Sequence, residues 1–250
     1  MAKVAFIYLY VTISIARMKG TLFMLPVTLG NPEHSLTIPE RVIEITRSIR
    51  VFAVEDIRSA RRFLRSIDKQ FPIDESHFFE IGKHSLPGDL KELFRMILDG
   101  SDAGVMSEAG MPGLADPGYI VVEEAHRKGI TVTPLTGPSS IIMGLVASGF
   151  NGQSFSFNGY LPVDAAGRQK ALKQLEQRSE KGQTQIFIET PFRTDKVLDD
   201  ILSVCKPSTR LCIAADLTLE SESVRTLTVA AWRTEKPSLD KRLVVFLLMA

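Results

Sequence analysis

The segment best suited to hold a ligand covers residues 105–118 and reads Val-Met-Ser-Glu-Ala-Gly-Met-Pro-Gly-Leu-Ala-Asp-Pro-Gly. Its three glycines let a ligand approach the backbone closely, and its two prolines stiffen the loop. Glu108 follows a predicted strand, and Asp116 stands where the next helix is expected to begin, as its cap. Because ligands of open α/β sheets bind at the carboxyl ends of strands, the pattern predicts a ligand site. A tight loop without a ligand is the alternative.

A second candidate segment covers residues 134–140 and reads Pro-Leu-Thr-Gly-Pro-Ser-Ser. Gly137 and Pro138 predict a turn after a strand, and Ser139 or Ser140 can cap the helix that follows. The exposed amides of that helix could face a polar ligand, although an ordinary capped helix explains the same residues.

A third segment combines acids with a row of arginines. Glu55 and Asp56 follow an apolar strand and are candidates for a general base. The arginines that come next are spaced to lie on one face of a helix, where they could engage phosphates. They are Arg58, Arg61, Arg62 and Arg65. A solvated helix face, with the acids as ion-pair partners, is the alternative.

Several other chemistries are disfavoured by the sequence. No G-x-G-x-x-G follows the first strand and no Walker-type G-x-x-x-x-G-K is present, which argues against a nicotinamide dehydrogenase or a P-loop NTPase. Cys205 and Cys212 have no histidine at metal-ligand spacing and are expected to be reduced thiols, so we predict no metal site. The formal net charge of +1 neither demands nor excludes a nucleic-acid partner, and any basic surface must be local.

The elements that must position these segments follow from hydrophobic periodicity. In the first half, predicted strands at 21–27, 51–54, 103–106 and 131–134 alternate with predicted helices at 39–50, 57–68, 89–98, 119–128 and 139–147. That alternation predicts βαβ crossovers and a mostly parallel sheet. In the second half, strands are predicted at 154–159, 185–189, 211–216, 222–229 and 242–248, and helices at 165–178 and 191–203. Fewer intervening helices predict a mixed or antiparallel sheet.

The 250 residues are sufficient for two α/β domains, which we place at 18–150 and 151–250. Residues 1–17 contain an apolar run too short to span a membrane, and we interpret them as an N-terminal extension. A packed apolar segment and an export signal are the alternatives for this stretch.

Taken together, the segments resemble those of the tetrapyrrole methylase-type (class III) methyltransferases, and within them the 16S rRNA (cytidine-2′-O)-methyltransferase branch. In the first half, residues 25–31 match the family's T-P-I-G-N loop, 54–58 match A-E-D-T-R, 107–118 match S-D-A-G-T-P-G-I-S-D-P-G, and 137–140 match G-P-S-A. In the second half, residues 157–162 match F-x-G-F-L-P, 189–193 match E-S-P-H-R, and 215–218 match R-E-L-T. The matches are colinear, and the stretch at 107–118 is the most specific.

The resemblance implies two α/β domains, a homodimer, and S-adenosylmethionine bound between the domains. It implies these cofactor-binding residues: Pro26, Glu108, Ala109, Gly110, Met111, Ser139, Ser140, Ile188, Glu189, Leu217 and Thr218. Asn31, Glu55 and Asp56 become candidate catalytic residues, and Arg58, Arg61, Arg62 and Asp116 candidate substrate-binding residues.

This chain departs from the family pattern at polar positions. The loop aspartate is Glu108, the arginine of R-E-L-T is Ala215, and the histidine of E-S-P-H-R is Phe192. These changes leave cofactor binding in place and put the acceptor in question. We therefore expect a cytoplasmic enzyme, not associated with a membrane, that methylates RNA, most naturally ribosomal RNA. Methylation of a tetrapyrrole or another small molecule and a non-catalytic binding protein are the alternatives.

Overall fold

The computed structural model describes residues 18–82 and 90–250, so the predictions for residues 1–17 lie outside the described residues. A first sheet contains β1 (Thr21–Met24), β2 (Val51–Val54), β3 (His77–Glu80), β4 (Ala103–Met106) and β5 (Thr131–Pro134). Its order is β3-β2-β4-β1-β5, and every pairing is parallel. The helices along this part of the chain are α1 (Glu40–Ser48), α2 (Ile57–Ile67), α3 (Lys91–Leu98) and α4 (Gly118–Arg127). The predicted parallel α/β half is confirmed.

A second sheet follows α5 (Ser140–Ser148) and has the order β6-β7-β10-β8-β9. Its strands are β6 (Phe155–Tyr160), β7 (Thr184–Glu189), β8 (Arg210–Ala215), β9 (Ser223–Thr228) and β10 (Val244–Met249). The helices are α6 (Ala165–Ser179), α7 (Thr194–Val204) and α8 (Val229–Thr234). Only β6 and β7 pair in parallel, so the predicted mixed sheet is confirmed.

Both faces of the second sheet are buried, which explains its continuous apolar strands. In β10, Phe246 points into a core shared with α6, α7 and α8, whereas Val245 and Leu247 point into a core shared with α5. That second core also contains Leu29, which belongs to the loop after β1. A residue of the first half therefore helps to cover the second sheet and brings the two halves into contact.

Among the described strands and α-helices, β3 and α8 were not predicted. The short strand His77–Glu80 lies at the edge of the first sheet and is half-buried at most, so it lacks the apolar run that marks its neighbours. Helix Val229–Thr234 directly follows a strand rich in β-branched residues. Its cap, Thr228, fits the strand pattern and was therefore predicted as part of the strand. The prediction that residues 103–106 form the third strand is corrected: they form the fourth.

The division at residue 150 stays a prediction, because α5 precedes that point and packs on β8, β9 and β10 of the second sheet. Among the described residues, no helix combines the length and the apolar character needed to cross a bilayer.

Candidate active site

The loops that follow β1, β2 and β4 meet at the carboxyl edge of the first sheet. The N–H of Val27 donates to the carbonyl of Gly110 at 3.0 Å, and the N–H of Glu55 donates to the carbonyl of Met106 at 3.1 Å. The N–H of Glu108 in turn donates to Oε2 of Glu55 at 3.1 Å. Glu55 and Glu108, which the sequence predicts at the ends of two different strands, therefore lie together at one edge of the sheet.

Glycines make this approach possible at two positions. Gly110 has a φ of +74°, and a Cβ there would lie 2.9 Å from both a side-chain carbon of Leu29 and the carbonyl oxygen of Pro138. A Cβ on Gly137 would lie 2.1 Å from the ring of Pro26, so the loop after β5 could not reach the loop after β1. Pro26 therefore packs against Gly137 and lines none of the three cavities described next.

Two adjoining cavities lie between the first-sheet loops and the second sheet. The apolar cavity, of about 160 Å³, is lined mainly by aliphatic residues of the second half: Ile188, Ala214, Leu217, Leu243, Val244 and Val245. The polar cavity, of about 220 Å³, is lined by the 107–111 loop, by Glu55, by residues 114–116 and by residues 139–141. Residues common to both linings join them into one cleft, and they are Leu29, Ala109, Ser140, Tyr160 and Ile188.

A third cavity, of about 330 Å³, lies beside α2 and is called the α2 cavity below. It is lined by the loop after β1, including Asn31, and by α2 residues that include Ser59 and Arg62. Ser107 and Glu108 line both this cavity and the polar cavity, so Glu108 stands between them.

The two adjacent acids after β2 have different environments. Glu55 lines the polar cavity, where its Oε2 accepts the hydrogen bond from Glu108. Asp56 instead caps α2: its carboxylate accepts from the N–H of Ser59 at 2.6 Å, which lowers the pKa of Asp56 below its ordinary value. Of the two predicted bases, Glu55 faces the cleft and Asp56 serves the helix.

The loop after β1 is fastened to the second half of the chain by Asn31. Its Nδ2 donates to the carbonyl of Thr218 at 2.6 Å, and its Oδ1 accepts from the N–H of Glu33. Thr218 and Asp216 have φ values of 74° and 53°, in the left-handed region that residues other than glycine rarely adopt. The predicted catalytic Asn31 and predicted cofactor residue Thr218 thus form an interdomain contact, and Thr218 lines none of the three cavities.

Asp116 lines the polar cavity but does not cap α4 as predicted, because Pro117 occupies the capping position and makes no side-chain bond. The carboxylate of Asp116 accepts hydrogen bonds from the N–H groups of Gly113 and Gly118, which braces the 107–118 loop. Ser139, by contrast, caps α5 through the N–H of Ile142 as predicted.

On the second-half side, Glu189 lines the apolar cavity and pairs with Arg193 at 2.7 Å, and its side chain is only 1% exposed. Phe192, the residue in place of the family histidine, is 87% exposed and lines none of the three cavities.

Sequence reasoning missed several residues of the cleft, such as Leu29, Ala214 and Leu243, and among the titratable residues of the cleft it missed Tyr160. It lies at the end of β6, where pairing with β7 shifts register between Phe157 and Tyr160 and Gly159 has a φ of +64°. Glycine inside a strand pattern is a signal for such a bulge, and bulges redirect side chains near functional sites. Burial raises the pKa of the Tyr160 hydroxyl, and the carboxylates of Glu189, Glu55 and Glu108 raise it further.

Comparison with known proteins defines the class. The sequence model of the family described as tetrapyrrole (corrin/porphyrin) methylases matches residues 21–232, so the chain belongs to that family. In solved structures, the methyltransferase CobJ matches with a TM-score of 0.59 at 16% identity, covering 92% of this chain and 94% of CobJ. A uroporphyrin-III C-methyltransferase from Thermus thermophilus matches with a TM-score of 0.57 at 15% identity, covering 92% of this chain and 94% of that one. Similarity at this level shows the fold.

Curated relatives narrow the comparison. Ribosomal RNA small subunit methyltransferase I of Pseudomonas aeruginosa is 30% identical over 211 residues, which cover 84% of this chain and 71% of that protein. The protein of the same name from Vibrio cholerae is 31% identical over 229 residues, covering 90% of this chain and 76% of that protein. The resemblance stated from the sequence is confirmed, and the chain is an S-adenosylmethionine-dependent methyltransferase.

The cleft fits this cofactor in its donor set. Aliphatic residues of the apolar cavity suit an adenine ring, and the hydroxyls and backbone amides of the polar cavity suit an amino acid group. Among residues 18–82 and 90–250, no lysine or arginine lines either cavity, whereas these acids do: Glu55, Glu108, Asp116 and Glu189. An acidic cleft complements a ligand that carries a sulfonium and an ammonium. Within residues 18–82 and 90–250, no cluster of histidine, cysteine and acidic side chains is arranged to hold a metal ion.

Proposed function

We propose that this chain methylates ribosomal RNA of the small subunit at a ribose 2′-hydroxyl of cytidine. The names of its curated relatives support a ribosomal RNA acceptor. The observation that carries the proposal in this chain is that the arginine row of α2 leads into the α2 cavity through Arg62, next to Glu108. A nucleotide whose phosphates contact α2 could place its ribose beside the cofactor cleft.

The α2 arginines are available for such a contact. All four, Arg58, Arg61, Arg62 and Arg65, are exposed, and no ion pair with an acid involves them in the part of the chain that the structure describes. Arg61 lies over the ring of Phe78, and Arg65 donates to the carbonyl of Lys69, so two of them are held in place without losing their charge. Arg41 and Arg47 of α1 pair with Glu44 and Glu40 and are less suited to phosphates.

The chain's own residues divide the remaining work. When bound, S-adenosylmethionine supplies an electrophilic methyl group. Glu108 separates the polar cavity from the α2 cavity and would orient the cofactor, whereas Glu55 would accept the proton of the acceptor hydroxyl as general base. The contact between Asn31 and Thr218 would hold the loop after β1 beside Glu55 and Glu108.

A homodimer and a cytoplasmic location belong to the same proposal, since ribosomal subunits are cytoplasmic substrates and the family resemblance implies a dimer. Tetrapyrrole methylation is the less favoured alternative. The solved tetrapyrrole enzymes support only the fold, whereas the relatives of about 30% identity carry ribosomal RNA names.

The proposal is tested by incubating the protein with labelled S-adenosylmethionine and small ribosomal subunits from a methylation-deficient strain, and then locating the label. We expect label on a cytidine ribose. Label on protein, on a base, or on a tetrapyrrole substrate alone would contradict the proposal.

A charge-reversed variant tests the arginine row. Arg61→Glu with Arg62→Glu should reduce affinity for ribosomal RNA at least about tenfold and flatten its dependence on salt, because phosphate contacts release counterions. The matched control is Lys170→Glu with Lys173→Glu on α6, which changes the net charge equally on exposed positions of another helix. Equal losses in both variants would indicate a general charge effect and not a phosphate site on α2.

A further inference from the structure

Tyr160 occupies the junction of the cofactor cleft. It is one of the residues that line both the apolar and the polar cavity, and among the described residues of either lining it is the only aromatic one. A ligand that spans both cavities would therefore meet its ring.

The fold fixes the backbone on both sides of Tyr160, whose side chain is 54% exposed. Before it, the bulge in β6 is stabilised by Asn158, whose amide donates to carbonyls of Ser156 and Ile186. After it, Arg193 donates to the carbonyl of Leu161. The fully buried Arg168, paired with Asp200, donates to the carbonyls of Pro162 and Val163. Two guanidinium groups thus fix the backbone that follows the ring.

The surroundings of Tyr160 favour positive charge. The carboxylates of Glu55, Glu108 and Glu189 interact electrostatically with its hydroxyl, and none of the described residues that line the cleft carries a positive charge. A phenol near anions stays neutral, so the ring keeps the electron-rich face that attracts cations.

We propose that the ring of Tyr160 packs against the sulfonium of S-adenosylmethionine and makes the cleft prefer this cofactor over its product, S-adenosylhomocysteine, whose sulfur is neutral. The sulfonium joins the adenosyl part, which suits the apolar cavity, to the amino acid part, which suits the polar cavity. It therefore belongs at the junction where the ring lies. The proposal goes beyond the proposed RNA acceptor, because it concerns the charge of the cofactor and holds for any methylated group.

The preference has a consequence for turnover. When the methyl group leaves, the electron pair of the broken bond stays on sulfur and the positive charge disappears. The attraction of the ring is lost at that moment, which favours exchange of product for fresh cofactor.

The experiment compares the dissociation constants of S-adenosylmethionine and S-adenosylhomocysteine by calorimetry for the wild type and for Tyr160→Phe, Tyr160→Leu and Tyr160→Trp. Tyr160→Leu should weaken binding of S-adenosylmethionine about three- to tenfold more than binding of S-adenosylhomocysteine. Tyr160→Phe and Tyr160→Trp should keep the wild-type ratio or increase it, because both retain a ring.

Several outcomes would overturn the proposal. If the ratio of the two dissociation constants is unchanged in Tyr160→Leu, the ring does not distinguish the two ligands by charge. If Tyr160→Phe lowers that ratio as much as Tyr160→Leu does, the effect belongs to the hydroxyl and not to the ring. If Tyr160→Leu binds neither ligand, the Trp variant decides, since a lowered ratio there contradicts cation recognition by the ring. A wild type that binds the cofactor but methylates no RNA refutes only the proposed acceptor.

Discussion

At the scale of single residues, the two acids after β2 show how neighbouring carboxylates acquire different tasks. Asp56 caps α2, because its Oδ1 accepts a hydrogen bond from the N–H of Ser59. Glu55 instead lies in the polar cavity, where its Oε2 accepts from the N–H of Glu108. The sequence places both at the strand end but cannot tell them apart, because the difference depends on which way each side chain points in the folded loop.

This difference predicts unequal effects of matched substitutions. Glu55→Gln should lower kcat by about 10²- to 10⁴-fold, the usual contribution of a general base. Gln can still accept from Glu108, so the loop should be preserved. Asp56→Asn keeps a good capping residue and should retain nearly full activity in the same assay. Full activity in Glu55→Gln would remove Glu55 from the mechanism.

Prediction of the residues that line the cleft succeeded where a local sequence pattern, such as a glycine-rich turn, itself marks the contact. The 107–111 loop, Ser139, Ser140 and Ile188 were predicted and do line the cleft, because glycine-rich turns and strand ends are visible in one dimension. Tyr160 was missed, since its orientation depends on a bulge against a strand more than twenty residues away. The cofactor and substrate roles assigned to individual residues stay predictions.

At the scale of elements, the turn between β8 and β9 depends on the charge of Asp216. Burial by itself raises the pKa of this carboxyl, but the hydrogen bonds from Arg242, the N–H of Leu243 and Ser221 outweigh it and lower the pKa below its ordinary value of 3.8. The same turn presents the Thr218 carbonyl to Asn31. Protonation of Asp216 should therefore loosen the turn and its contact with the loop after β1.

The depressed pKa fixes the sign of the pH dependence. The stabilisation from Asp216 is fully present above the ordinary pKa and is lost as pH falls through the lower pKa of the folded state. Asp216→Asn should lower the free energy of unfolding by roughly 2 kcal/mol near pH 7, and the gap to wild type should shrink at about pH 3. Urea unfolding at both pH values measures this. A gap that grows on acidification would contradict the assigned direction.

Element prediction was most successful for fully buried strands and amphipathic helices, whose periodicity is strong. All four predicted strands of the first half exist, with ends shifted by up to three residues. The edge strand β3 was not predicted, because its pairing with β2, and not its sequence pattern, makes it a strand. Helix α8 was not predicted, because tertiary packing of Trp232 overrides the strand propensity of the preceding β-branched residues. The mixed character of the second sheet was predicted, but the central place of β10 was not.

At the scale of the whole molecule, the cleft proposed for the cofactor is lined by residues of both halves of the chain, so a ligand bound there should stabilise both halves together. At one hundred times its dissociation constant, S-adenosylmethionine should add about 2.7 kcal/mol to stability. For a chain of this size that raises Tm by roughly 5–10 °C. Differential scanning calorimetry should show one shifted transition.

A charge control accompanies that measurement. ATP shares the adenosine but is strongly anionic, and the acids that line the cleft should exclude it, leaving Tm within about 1 °C of the free protein at equal concentration. An equal shift with ATP would mean that the adenine alone decides binding and that the acidic lining has no selective effect.

The position of β10 has a consequence for how the second sheet is completed. Val244–Met249 is inserted between β7 and β8, two strands that precede it in the chain. Until residues 244–249 are available, β6 with β7 and β8 with β9 can form only two separate strand pairs, each with an apolar open edge. A released chain truncated before residue 244 should consequently bind chaperones, whereas the chain that includes residues 244–249 should not.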